Sequence, residues 1–148
     1  MARRYGFSGS ITAAATKTIL SVVGTSAVRC SLFDLMVSSN ATPADNSSEW
    51  WVLRCTAAGT STAVTPTNLD SGDPAATCVC GKNHSVEPTY GAVPALDFAI
   101  NQRATFRWVA APGSEIKGPA TAANGVGLQC QGVGGSGVLV IATALFEE

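Results

Sequence analysis

Charged side chains are scarce in this sequence. Asp, Glu, Lys and Arg make up 13% of its 148 residues, against roughly 25% in ordinary soluble domains. The nine Lys and Arg are scattered and the formal net charge is −1, so no basic stripe exists to track a nucleic acid. Ala, Gly, Thr and Ser fill 67 positions instead. A free monomer usually covers itself with mixed charge. A surface of small neutral residues can lie against a neighbour without stripping water from ions. A neutral secreted domain would share this composition.

Long apolar runs are missing too. No segment approaches the roughly 18 residues of a membrane helix, and no membrane partner is expected. The start, Met1-Ala2-Arg3-Arg4-Tyr5-Gly6-Phe7, carries twin arginines, but Ser8-Gly9-Ser10-Ile11-Thr12 supplies no apolar core for an export signal. Histidine occurs once, as His84, and cysteine five times, at Cys30, Cys55, Cys78, Cys80 and Cys130. An odd number rules out a complete set of intrachain disulfides, and the absence of a signal favours a reducing compartment. Buried free thiols, packing as small hydrophobes, are the expectation.

These shortages weaken most catalytic readings. Cys78-x-Cys80-x-x-x-His84 is the one metal-like cluster, but its first spacing is too tight for a zinc knuckle and no second knuckle follows. Any His-dependent nucleophile must use His84, whose acidic neighbour in sequence is Glu87; there is no Gly-x-Ser-x-Gly elbow. Asp34, Glu49, Asp97 and Glu115 could pair as glycosidase acids, although solvated or ion-paired carboxylates account for them more simply. Gly132-Val133-Gly134-Gly135-Ser136-Gly137 lacks the Lys of a phosphate loop and reads as a hairpin loop. No catalytic residue, metal or cofactor is expected.

What the sequence does contain is β punctuation. Short runs rich in Val, Thr, Ile and aromatics alternate with Gly, Pro, Asn, Asp and Ser clusters. Strands are predicted near 5–13, 16–23, 27–38, 49–56, 62–65, 77–80, 96–100, 105–110, 125–131 and 138–146. About eight to ten short strands in one domain over residues 1–148 predict an all-β sandwich or jelly roll. In 27–38 the apolar phase passes from Val28, Cys30 and Leu32 to Phe33, Leu35 and Val37, which requires a bulge or burial of both faces. In 138–146 both faces are apolar or small, so that strand should be central or covered by a neighbouring subunit. Residues 39–48, 68–74, 82–94 and 112–124 read as polar loops.

Three stretches carry a resemblance: Arg4-Tyr5-Gly6-Phe7-Ser8-Gly9-Ser10-Ile11-Thr12, Ser39-Asn40-Ala41-Thr42-Pro43-Ala44-Asp45-Asn46, and Asn101 through Gly113 with its Phe106-Arg107-Trp108-Val109 centre. With Ala120-Thr121-Ala122-Ala123-Asn124-Gly125 they resemble small structural proteins of tailed-phage virions, and within that group capsid cement (decoration) proteins. The resemblance implies a homotrimer on the capsid exterior, made in the host cytoplasm and partnered by the major capsid protein. It supplies no active-site residues. From the residues alone, 1–7 read either as an extended arm, with Arg3, Arg4, Tyr5 and Phe7 on a neighbour's surface, or as a frayed terminus. Trp51 and Trp108 complete the candidate interface. Adjacent Trp50 and Trp51 must face opposite sides of a strand. One exposed ring would equally suit a carbohydrate- or receptor-binding module, and a tail or neck subunit would share the composition.

Overall fold

The computed structural model describes residues 2–148, and among them are thirteen β-strands and no helix. One sheet holds β1 (Arg4–Thr12), β3 (Ser31–Asn40), β6 (Thr67–Asn68), β10 (Phe106–Val109), β11 (Ile116–Lys117) and β13 (Leu139–Glu147). Its order is β10-β3-β13-β1-β6, with β11 also on β3. The other holds β2 (Lys17–Val23), β4 (Ser47–Ala57), β5 (Thr60–Val64), β7 (Val79–Val86), β8 (Thr89–Tyr90), β9 (Leu96–Asn101) and β12 (Gly125–Val133). Its order is β5-β7-β2-β12-β4-β8, with β9 also on β4. The fold is an all-β sandwich. All ten predicted strands are present, and the three additional ones (β6, β8 and β11) are two residues long.

Period-two patterning sets the faces. In β1, Tyr5, Phe7 and Gly9 are buried while Arg4, Ser8 and Ser10 are exposed. In β13, Val140, Ala142, Ala144 and Phe146 point to the core and Leu139, Ile141, Thr143 and Leu145 point out. From the second sheet Leu20, Val22, Trp50, Val52, Val126, Leu128 and Cys130 meet them. The expected phase change in the third long strand is a bulge. Leu145 of β13 faces Asp34 and Phe146 faces Leu32, so Phe33 has no partner of its own. This keeps Leu32, Leu35 and Val37 all in the core. The strand apolar on both faces, β13, lies centrally between β3 and β1. Where β9 and β10 reach the same flank, Phe98 and Phe106 stack at 3.8 Å and 11° and close the gap between sheets.

The second sheet curls. Only Ala58 and Gly59 separate β4 from β5, though these strands stand at opposite flanks of the strand order. Two residues span little more than about 10 Å, so the flanks must approach one another over the outer face. They meet at Gly59, which has φ +68° and where a Cβ would lie 2.3 Å from the Val86 carbonyl oxygen. The curl explains why β2 and most of β12 are buried on both faces. Residues 82–94, expected as a polar loop, are the end of β7 and β8 folded over that sheet. Gly132–Gly137, expected as a hairpin loop, instead crosses from β12 in one sheet to β13 in the other.

Neither the extended arm nor the frayed terminus offered for residues 1–7 holds for Arg4–Phe7. Met1 lies outside the described residues, and Arg4–Phe7 are the first half of β1, between β13 and β6. Tyr5 is 0% exposed and Phe7 5%. Both pack on Phe146, Tyr5 stacked at 5.4 Å and Phe7 edge-on at 6.0 Å. Residues two apart in a strand share a face, and here that face is the core. Arg3 extends the pairing by exchanging backbone hydrogen bonds with Glu148, each 3.1 Å.

Candidate interaction surfaces

The residues expected at an interface are dispersed. Arg3 and Arg4 are exposed; Arg4 lies 3.5 Å from Glu147 and its guanidinium sits 5.2 Å above the Phe33 ring. Tyr5 and Phe7 are core, for the reason just given. Trp50 is fully buried, donating from its indole to Ser48 Oγ at 2.9 Å. Trp51 is half-buried on the other face, and its indole N–H donates to Glu49 Oε1 at 3.1 Å. Its cross-strand neighbours are Gln129 and Asp97. Trp108 is half-buried on the flank strand β10 and packs against the core of the sandwich, so it shares no surface with Trp51.

The acids are engaged separately. Arg107 grips Asp34 with two hydrogen bonds of 3.1 and 2.6 Å, a bidentate arrangement. Glu115 accepts from the Gly113 N–H at 2.9 Å and lies 3.2 Å from Lys117; together these hold its carboxyl down at about 2. Among the described residues, no group of three or more His, Cys, Asp or Glu side chains is placed to hold a metal ion. All five cysteines are free and buried. Burial raises Cys55 and Cys130 to about 11, and raises Cys78 and Cys80 further.

Beneath the curl lies a polar cluster that the sequence did not announce. Ser21 Oγ and His84 Nε2 share a 3.0 Å hydrogen bond, the separation of a nucleophile and its base. However, Ser21 is 4% exposed and His84 1%. Glu87 is the hub: its Oε2 accepts from the Thr18 N–H at 2.9 Å and from Gln129 Nε2 at 3.3 Å, and Lys17 Nζ stands 3.7 Å from its Oε1. The Tyr90 hydroxyl reaches Thr18 Oγ1 at 2.9 Å, its ring lying where any Cβ on Gly127 would intrude, 2.1 Å from the hydroxyl oxygen. Burial lowers the His84 pKa, against the opposing pull of Glu87, and raises that of Tyr90. A second unforeseen organiser is Gln102, 2% exposed. It accepts from the Ala44 N–H and donates to the carbonyls of Gly134 and Ser136, tying three loops together.

The outward face of the six-stranded sheet is different in kind. Leu139, Ile141, Thr143 and Leu145 form a ridge along β13. Beside it β1 places the small side chains of Gly6, Ser8, Ser10 and Thr12, in register with Leu145, Thr143, Ile141 and Leu139. Ser8 and Thr143 share a 2.8 Å hydrogen bond across the two strands. Leu69 and Leu145 converge over Gly6, and Met36 and Ser38 of β3 flank the ridge. The charged residues in the strands of this face are Arg4 with Glu147, Arg107 with Asp34, and Lys117 with Glu115, each pair closed within the chain.

Comparisons of this chain with protein-family models, with curated proteins and with solved structures find no match.

Proposed function

We propose that this chain is a non-enzymatic structural subunit of a phage virion, a capsid cement protein that binds the assembled shell of major capsid protein and stabilises it from outside. One observation carries the reading. Among the described residues seven large hydrophobic side chains are exposed at 36% or more, and four of them, Leu69, Val109, Leu139 and Ile141, lie on one outward sheet face. That face has its few charges paired internally, so it can be covered without leaving an ion unpartnered. The resemblance of the Arg4–Thr12, Ser39–Asn46 and Asn101–Gly113 stretches to small virion proteins supports the same conclusion. So does the enclosure of the Ser21–His84 pair, which an external substrate cannot touch without opening the curl. A glycan-binding reading draws on Trp51 beside Asp97 and Gln129, but it has one ring, half-buried and tied to Glu49.

A cement subunit binds the intact shell and not its dissociated parts, so mass action favours the intact particle. Many copies on a symmetric lattice turn modest contacts into firm attachment. The test heats particles that lack the protein, alone and after adding the full chain, and follows DNA release. The expected result is a higher release temperature with the chain. An unchanged release temperature overturns the proposal, as does the finding that particles lacking the chain never form heads.

A further inference from the structure

The outer face of the second sheet encloses a small interior of its own. Ser21, Gly127 and Leu53 lie directly across β2, β12 and β4 from one another, and so do Val23, Gly125 and Cys55. Cross-strand partners share a face. Val23, Leu53 and Cys55 are buried there without joining the main core cluster, which takes in Cys30, Cys78, Cys80 and Cys130. The stretch 83–90 covers them: Tyr90 stands opposite Cys55 on β4, and its ring lies over Gly127.

Polar bonds hold that stretch in place. β7 parts from β2 after Lys82 and turns at Asn83, where φ is +51°. It next meets a strand at Val86, opposite Thr60, and then through the two residues of β8. Along the way His84 bonds Ser21 at 3.0 Å, and the Lys17 ammonium donates to the His84 carbonyl at 2.6 Å. Glu87 accepts from the Thr18 N–H and from Gln129, and the Tyr90 hydroxyl meets Thr18 Oγ1. Asn83, Ser85, Val86 and Thr89 face solvent, which leaves Pro88 and Tyr90 as apolar anchors.

His84 is the group in this cover that acid can change. It is 1% exposed and its Nδ1 has no hydrogen-bond partner. Burial lowers its pKa, against the pull of Glu87 and with the help of the Lys17 charge on β2. Tyr90 on β8 and Cys55 on β4 stay uncharged, since burial raises both. Lys82 of β7 turns the other way, to Gly9 of β1. β5 has no titratable side chain, and Cys130 of β12 lies in the main core.

We infer that residues 83–90 form an acid-released strap: a proton on His84 frees them from β2 and β12 while the main sandwich stays closed. This goes beyond the virion reading and does not depend on it. In the open state the ring meets water and takes up a proton near its ordinary value of about 6.5. The open state therefore binds the proton first. Its population rises as pH falls below that value, by up to about tenfold per pH unit. Local opening needs less free energy than global unfolding, because the main core stays packed.

Cys55 is the reporter. A disulfide reagent labels the thiols of the full chain from about pH 8 to about pH 5, and peptide mass spectrometry assigns each site. Every rate is divided by that of the urea-unfolded chain at the same pH, which removes the reagent's own pH dependence. The expected result is that relative labelling of Cys55 climbs below about pH 6.5, by up to about tenfold per unit, while Cys30, Cys78, Cys80 and Cys130 stay protected. His84→Gln should abolish the climb. Tyr90→Phe removes only the bond to Thr18, so it should raise Cys55 labelling at every pH and keep the slope. Cys55 protected throughout, or five thiols that become reactive together, overturns the inference. So does a slope that survives His84→Gln with unchanged circular dichroism. Should His84→Gln not fold, Cys55 labelling in Tyr90→Phe that is flat with pH overturns it as well.

Discussion

Replacing Phe7 by Ala separates a core β1 from a surface arm. Phe7 is 5% exposed, meets Phe146 edge-on at 6.0 Å and faces Leu20 and Val52 of the opposite sheet across the core. Truncating a buried Phe removes its transfer free energy and leaves a cavity, together about 3–5 kcal/mol. The lost aromatic pairing is part of that figure. Domains of this size are stable by about 5–15 kcal/mol in all, so the variant should survive with a large part of its margin gone. At about 2–4 °C per kcal/mol, its melting temperature should fall by roughly 6–20 °C. Urea denaturation at constant slope gives the same quantity independently. Arg4→Ala, whose side chain is 61% exposed and whose ion pair lies at the surface, should cost no more than about 1 kcal/mol. A Phe7→Ala variant as stable as the parent, within about 0.5 kcal/mol, would refute the placement of β1 in the core.

Stability should also depend on pH through His84. Burial lowers its pKa in the folded chain, and its Nδ1 has no hydrogen-bond partner, so in the doubly protonated ring the Nδ1–H has no acceptor. The unfolded chain therefore binds the proton first: stability is full above about 6.5, the ordinary histidine value, and falls as pH drops below it. His84→Gln should flatten that slope in urea titrations, and an unchanged slope would remove His84 as its cause. The five buried thiols should react with a disulfide reagent at pH 8 only once denaturant is added; rapid reaction of any of them in the native chain would contradict their burial. Gly127→Ala should push Tyr90 off Thr18 and cost about 1–3 kcal/mol, measurable by thermal unfolding; a neutral effect would show that the curl has room to spare.

Most of the strand pattern was legible because each long strand writes its own alternation. Leu96, Phe98 and Ile100, or Val140, Ala142 and Phe146, reveal a face without reference to any partner. The β3 bulge was legible for the same reason, since a phase change has few other causes. Pairing across sheets was not. Tyr5 and Phe7 look alike as arm aromatics or as core, and only the position of β1 between β13 and β6 decides. The curl escaped because it depends on which strands Ala58 and Gly59 join, and the polar cluster of Thr18, Ser21, His84 and Glu87 escaped with it. Those residues are spread along the chain, and polar residues in a run such as Lys82–Pro94 ordinarily signal solvent. Gln102 carried no signal at all. The strand apolar on both faces was anticipated as central or covered by a neighbouring subunit, and β13 is central, between β3 and β1.

The most direct measurement of the central claim is cryo-microscopy of intact particles compared with particles lacking this chain. The account predicts difference density on the outside of the shell, seated on major capsid protein and large enough for a 15.0 kDa sandwich. Density at the tail or neck, or particles identical with and without the chain, would contradict it.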